Sequence, residues 1–525
     1  MASPWKRARV AETPLEPRRT IGQTGVAPFG KNADMDTIPA YEVSEIRFDE
    51  TVDVIVLGLG VAGSSAVVAA RQAGVDVLAV EHATAPGGTS ANSGGLIYLG
   101  GGTALQKACG FQDTRDNMAA FLLAALGPGG DDDRVDAYCQ GSPDHFDWLV
   151  SIDVPFRAAF CDEPNRESAD DSGLLFSGGE DSYPFDEIAV PVPRGHKPQC
   201  IDSAGGFLME RLGAAVAASS ARVMADTRAE ALVVDGGEVV GVQVRTDDGP
   251  RTIRARGGVV LATGGFISNE AMVAEECPLA HVPDSAWRIG TPNDDGRGIR
   301  MGVGAGAATT RLGSFECALP LGPPHRLARG ILVNRHGERF INEDAYTGRI
   351  GLHALRDNDG FVYMITDDVI HERNLLGLRV GFAAATPEEL AVELDIPPEA
   401  LARTVRDYNE AAVRGEDPRF HKRAPFLQPI GVPPASGIGA IDLRVDHGAI
   451  YATFTLGGLA TDPDGAAVDS AGRRISGLYA VGRTAASLAA SHYASGISLG
   501  DGSFFGRRAG RHAAARACTM RPSPL

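Results

Sequence analysis

Thr51-Val52-Asp53-Val54-Ile55-Val56-Leu57-Gly58-Leu59-Gly60-Val61-Ala62-Gly63 is the stretch that decides the fold. Its first seven residues form an apolar run broken only at Asp53, the pattern of a buried strand in a parallel sheet. A G-x-G-x-x-G turn follows, then small residues through Ala73, then Gly74 and a second apolar run, 75–80, that ends in Glu81. Gly58 permits a tight turn, Gly60 lets a pyrophosphate approach the backbone, and Gly63 lets helix and strand pack closely. A helix starting at Val61 offers free N–H groups and a partial positive charge to phosphates. Glu81 stands where a carboxylate accepts hydrogen bonds from ribose hydroxyls. Three glycines alone also mark ordinary turns, but strand, turn, helix, strand and acid in register predict dinucleotide binding. The stretch leaves open which dinucleotide is held and which reaction follows.

Around it lies a chain of 525 residues, enough for about two to four domains with a large core. Hydrophobic residues at 44% and charged residues at 22% fit a globular protein. The net charge of −18 argues against nucleic acid and against an anionic membrane surface as partners. The seven cysteines are scattered and form no C-x-x-C, so neither a disulfide framework nor a metal site is expected. A reducing, cytoplasmic setting is the expectation. No run of eighteen apolar residues occurs, so no transmembrane segment is expected. Residues 1–47 carry Lys6, Arg7, Arg9, Arg18 and Arg19 among prolines. No apolar stretch follows Arg18-Arg19, so a flexible N-terminal extension is expected rather than a signal peptide.

Further glycine-rich loops follow in order. Pro86-Gly87-Gly88-Thr89-Ser90-Ala91-Asn92-Ser93-Gly94-Gly95 offers backbone N–H groups and small hydroxyls to an extended phosphate-bearing chain. Leu96-Ile97-Tyr98 continues from it and is expected to bring Tyr98 near the bound ring. Residues 160–200 are polar and proline-rich and carry no motif. A hairpin turns at Asp235-Gly236-Gly237, and Val259-Val260-Leu261-Ala262-Thr263-Gly264-Gly265 reads as a buried strand returning to the dinucleotide. Asp294 and Asp295 precede a helix and also suit a capping role. Composition shifts from about 312 to about 432. There, residues 331–344 read as strand, turn and strand leading to Tyr346, while Thr386-Pro387 starts a helix and 397–413 forms another. The last segments are a strand at 478–482 and Tyr493-Ala494-Ser495-Gly496-Ile497-Ser498-Leu499 opening a final helix, whose N-terminus is a positive dipole end.

Taken together, this order of motifs resembles the flavoprotein family of fumarate reductase and succinate dehydrogenase, which also holds the 3-ketosteroid dehydrogenases. The likeness covers about residues 50–515. It implies an α/β fold, with a Rossmann-like FAD-binding domain in two discontinuous segments, 48–311 and 433–525, and an inserted α+β catalytic or cap domain at 312–432. It also implies FAD held by Gly58, Gly60, Val61, Ala62, Gly63, Glu81, Gly87, Gly88, Thr89, Ser90, Ser93, Gly94 and Gly95, and further by Ala262, Thr263, Gly264, Asp295, Gly482, Ser498 and Leu499. No histidine lies between Gly87 and Gly102, so the flavin is expected to be non-covalent.

Within the family, fumarate reductases place arginines where this chain has, at or beside those positions, Tyr346 and Tyr493, and a phenol cannot clamp a carboxylate as a guanidinium does. The pattern of Tyr346, Tyr493 and Ser495 looks instead like the catalytic hydroxyl set of the 3-ketosteroid Δ4-(5α)-dehydrogenases. Arg483 is a departure, since many fumarate-type relatives carry an acid there. The resemblance implies a hydrophobic ketosteroid substrate and an unspecified electron acceptor. Three alternatives stand beside it. One is Δ1-dehydrogenation. A second is reduction of an unsaturated acid gripped by Arg339, Arg349 or Arg483, and the third is electron transfer to a partner without small-molecule turnover. His492 is expected at the surface or behind the site; facing the ring, it would be a rival base.

Overall fold

Strand Glu50–Leu57 lies inside a nine-stranded sheet. The computed structural model describes residues 35–162, 170–281, 287–319, 321, 325–372 and 377–520. Along the sheet the order is Tyr41–Glu42, Arg228–Asp235, Glu238–Thr246, Gly249–Leu261, Glu50–Leu57, Val77–Val80 and Arg222–Met224. The three strands from Gly249–Leu261 to Val77–Val80 pair parallel, as a strand–helix–strand crossover requires. Strand Gly249–Leu261 starts earlier than the apolar run indicated. Its first half pairs with Glu238–Thr246 and its last residues with Arg474–Ala480, with a register shift between Ala255 and Gly258.

Helix Val61–Gln72 covers one face and is crossed by the final helix, Ile497–Met520. The two meet at backbone contact: a Cβ on Gly506 or Gly510 would stand 2.2 or 2.3 Å from the carbonyl oxygens of Ala62 and Ala66. This last helix begins six residues before the run read from sequence, so Ile497 and Leu499 belong to its first turn.

Of the expected extension, residues 1–34 lie outside the described residues. Residues 41–42 add a short parallel strand to the sheet edge, and Ile38 N–H donates to Arg300 O at 3.2 Å. A four-stranded sheet of Ile331–Val333, Tyr363–Thr366, Ile438–Asp442 and Phe382–Ala384 carries the helices Pro387–Leu394 and Pro398–Val413. Leu401, Val405, Tyr408 and Ala412 are buried there, as their helical spacing predicts. Ile438–Asp442 pairs into this sheet although it lies past the expected boundary at 432. A three-stranded sheet of Trp287–Arg288, Ala452–Thr455 and Phe315–Ala318 spans the join between the two units. No helix among the described residues is long and apolar enough to cross a membrane.

Candidate active site

A cavity of about 1400 Å³ runs from the glycine turn to the three-stranded sheet. A drug-sized ligand needs roughly 300–1,000 Å³, so this one has room for a large cofactor together with a substrate. At its first end, Gly58 has φ +94°, and a Cβ on Gly63 would stand 1.8 Å from Gly58 O; larger residues would push the helix start off the turn. Helix Val61–Gln72 has no side-chain cap, and Val61 and Ala62 line the cavity at its open N-terminus. Glu81 is buried and accepts from Leu59 N–H at 2.6 Å and Ala83 N–H at 2.8 Å. Those two bonds use only part of the carboxylate's acceptor capacity.

Of the residues assigned to FAD from sequence, all but Gly63 and Gly87 line this cavity. Gly63 acts through close approach of helix and strand, while Gly87 adopts φ +148° at the start of the loop that delivers Ser90. Ser90 Oγ accepts from Val61 N–H at 3.1 Å. Asp295 lines the cavity but is over a third exposed, accepting from Arg297 N–H at 2.9 Å. Its neighbour Asp294 is the buried hub: it accepts from Thr89 Oγ1, from Gly265 and Thr291 N–H, and from Arg483, whose Nη2 lies 3.0 Å from both oxygens. Ser498 Oγ and Arg483 Nη1 are buried, line the same wall and have no partner within the protein, so the wall offers polar atoms to a ligand. An uncapped helix start, a ribose-height carboxylate and unpartnered polar atoms further along fit an elongated dinucleotide such as FAD.

At the other end the structure brings Tyr346, Tyr493 and Ser495 together. The two phenol rings are 6.5 Å apart, and Ser495 Oγ is within hydrogen-bonding reach of Tyr346. Tyr493 Oη accepts from Ser498 N–H at 3.0 Å, which leaves its own proton free to point into the cavity. Tyr346 Oη donates instead, to Glu316 Oε1 at 2.7 Å. Burial raises the Tyr493 phenol to about 12; it holds Tyr346 well above the ordinary range, and Glu316 adds to that. Burial also pushes the Glu316 carboxyl up to about 7, against the lowering effect of the Tyr346 hydrogen bond. A Cβ on Gly348 would meet Glu316 Oε1 at 1.9 Å, so the glycine leaves room for that carboxyl beside Tyr346.

Sequence reading missed Glu316. Its one signal is an acid inside the apolar strand Phe315–Ala318, where a buried carboxyl must find a partner. Residues 160–200 also contribute. Glu180, buried and raised by burial to about 7, accepts from Ser177 N–H at 3.1 Å and Gly178 N–H at 2.9 Å. Ser177 Oγ in turn donates to Ser495 O at 3.0 Å. Tyr98, expected near the ring, is not in the wall: strand Ile97–Tyr98 pairs with Gly195–His196, which turns its ring onto Phe121 at 6.0 Å. His492 is likewise outside the wall; its backbone N–H bonds to Leu126 O and its ring packs 6.3 Å from His353. Burial, with Arg356 and His353 nearby, lowers it to about 4.

The arginines are engaged. Arg339 is paired with Glu343 and Asp417, and Arg349 Nη1 donates to Tyr183 O at 2.9 Å; neither lines the cavity. Arg483 does line it, with its Nη2 held by Asp294. Among the described residues no group of three or more His, Cys, Asp or Glu is placed to hold a metal ion.

Fold and cavity together define a flavoprotein. The FAD binding domain family matches residues 53–499, and the chain belongs to it: it is an FAD-dependent oxidoreductase. It is similar to the crystal structure of 3-ketosteroid-Δ4-(5α)-dehydrogenase from Rhodococcus jostii RHA1 in complex with 4-androstene-3,17-dione. The two share 41% identity at TM-score 0.85, over 91% of this chain and 100% of that one. It is also 26% identical to the 3-oxo-5-alpha-steroid 4-dehydrogenase of Comamonas testosteroni, over 87% of this chain and 96% of that protein. The NADH:acrylate oxidoreductase of Vibrio harveyi is 27% identical over 90% of this chain, which spans about half (51%) of that relative's length.

Proposed function

We propose that this protein dehydrogenates a 5α-3-ketosteroid across C4–C5. Removing a proton from C4, next to the ketone, requires that the ketone oxygen be stabilised as it becomes an enolate. Tyr493 suits that task, since Ser498 N–H occupies its oxygen and leaves its proton free to donate. Each donor aimed at an oxyanion in a dry site contributes about 3–4 kcal/mol. An unperturbed tyrosine is only about 0.1% ionised at pH 7, so a hydroxyl cannot hold the abstracted proton by itself.

Glu316 removes that difficulty. Ser495 Oγ takes the C4 proton as its own proton moves to Tyr346 Oη and the Tyr346 proton moves to the Glu316 carboxylate; the net result is a neutral Glu316 and an enolate held by Tyr493. Bound FAD supplies the acceptor for the hydride that leaves C5. Gly58, Gly60, Val61, Ala62, Glu81, Thr89, Ser90, Thr263, Gly482, Ser498 and Leu499 would hold it, and the substrate would lie between it and the three-stranded sheet.

The observation that carries this reading is the convergence of three hydroxyls on one cavity end, with a carboxyl behind Tyr346 and no free guanidinium among the described residues there. Similarity to two steroid 4-dehydrogenases supports C4–C5 over C1–C2. Under anaerobic conditions a 5α-3-ketosteroid should bleach the flavin absorbance. The reading is overturned if saturated ketosteroids leave the flavin oxidised while unsaturated acids reoxidise the reduced protein.

A further inference from the structure

The three-stranded sheet presents one face to the cavity in two rows. Side chains alternate along a strand, so Arg288, Thr453 and Cys317 point away, and the latter two are fully buried. On the cavity side, the inner row holds Ile289, whose N–H bonds to Thr453 O, with Phe454 and its register partner Glu316. Phe454 meets the Tyr493 ring edge-on at 5.4 Å, so this row is the end where the hydroxyls converge. The outer row holds Trp287, Ala452 and Ala318, which are register partners across the sheet. It lies two residues further along the strands, about 7 Å away. Trp287 lines the cavity yet is 61% exposed, whereas Trp148 is buried with Nε1 donating to Gln72.

We propose that Trp287 is a specificity-determining residue: the wall against which a rigid fused-ring substrate rests the end remote from its reacting ketone. The inference builds on the ketone-dehydrogenation reading above. A ketone seated at Tyr493 and Tyr346 in a single-ring compound ends under the inner row. A fused-ring compound extends beneath the outer row, where the indole gains apolar contact only if the substrate is long enough. A large exposed aromatic surface at the cavity wall is stabilised by such a partner, and Ala318 opposite leaves room for a flat one. The site thereby distinguishes substrates by length, separately from the chemistry at the carbonyl.

The test titrates 4-androstene-3,17-dione and cyclohex-2-enone into the FAD-loaded protein and follows the flavin absorbance. In Trp287→Ala the steroid Kd should rise about tenfold or more, with a several-fold smaller change for cyclohexenone. Trp287→Phe, which keeps an aromatic wall, should fall between. An unchanged steroid Kd in Trp287→Ala, or equal changes for both ligands, overturns the inference while leaving the proposed reaction standing. A parent protein whose flavin responds to no steroid overturns both.

Discussion

Replacing Tyr493 with phenylalanine should leave FAD bound and lower turnover of a 5α-3-ketosteroid by about 10²–10³-fold. The ring itself is conserved in this substitution, so its edge-on contact with Phe454 persists. What disappears is one hydroxyl with two separate jobs. Its proton is the donor available to the ketone oxygen, because Ser498 N–H already occupies the phenol oxygen at 3.0 Å. Losing that donor raises the barrier to enolate formation and shows in kcat. Its oxygen is also the acceptor for an N–H in the first turn of helix Ile497–Met520. Losing it costs about 1–3 kcal/mol locally, which shows in thermal stability and flavin affinity rather than in the chemical step. Measuring kcat alongside the flavin-to-protein ratio separates the two. Near-normal turnover in Tyr493→Phe would remove this residue from the mechanism.

Glu316→Gln should cost about 10²-fold in turnover and, more tellingly, change its pH dependence. Glutamine keeps a carbonyl oxygen for the Tyr346 hydroxyl but cannot take a proton. In the parent protein the working form is the carboxylate, and burial places its titration at about 7. As pH falls through that value the carboxyl fills with solvent protons and can no longer receive the one from C4. kcat/KM should therefore decline on the acid side of about 7 and level off above it. The variant should be slow and flat across the same range. An unchanged acid limb in Glu316→Gln would assign the titration to another group and break the relay at Tyr346.

The parts of this site that sequence reveals are those whose chemistry is local. Gly58, Gly60 and Gly63 are required by a turn and a helix contact that their own neighbours build, so their spacing alone predicts the cradle. The same holds for Ser498 and Leu499, which sit in the first turn of the helix that the glycine-rich segment opens. Asp294 and Asp295 mark the limit of such reading. Two adjacent acids before a helix look alike in sequence, and only tertiary contacts with Thr89 and Arg483 make Asp294 the buried hub. Glu316 and Tyr346 stand thirty positions apart on different elements, and their pairing depends on how strand Phe315–Ala318 meets helix Thr347–Asn358. Trp287 belongs to a two-residue strand, too short to show a period. Tyr98 went the other way: its place after the glycine loop pointed toward the cofactor, but pairing with Gly195–His196 turns its ring into the core.

The central claim is that hydrogen leaves C4 and C5 of a 3-ketosteroid. It is tested most directly by single-turnover reaction of the FAD-loaded protein with two labelled 5α-3-ketosteroids, one deuterated at C5 and one at C1. The account predicts a conjugated 4-en-3-one that has lost the C5 deuterium and retained the C1 deuterium. A product that keeps the label at C5 and loses it from C1 would contradict it.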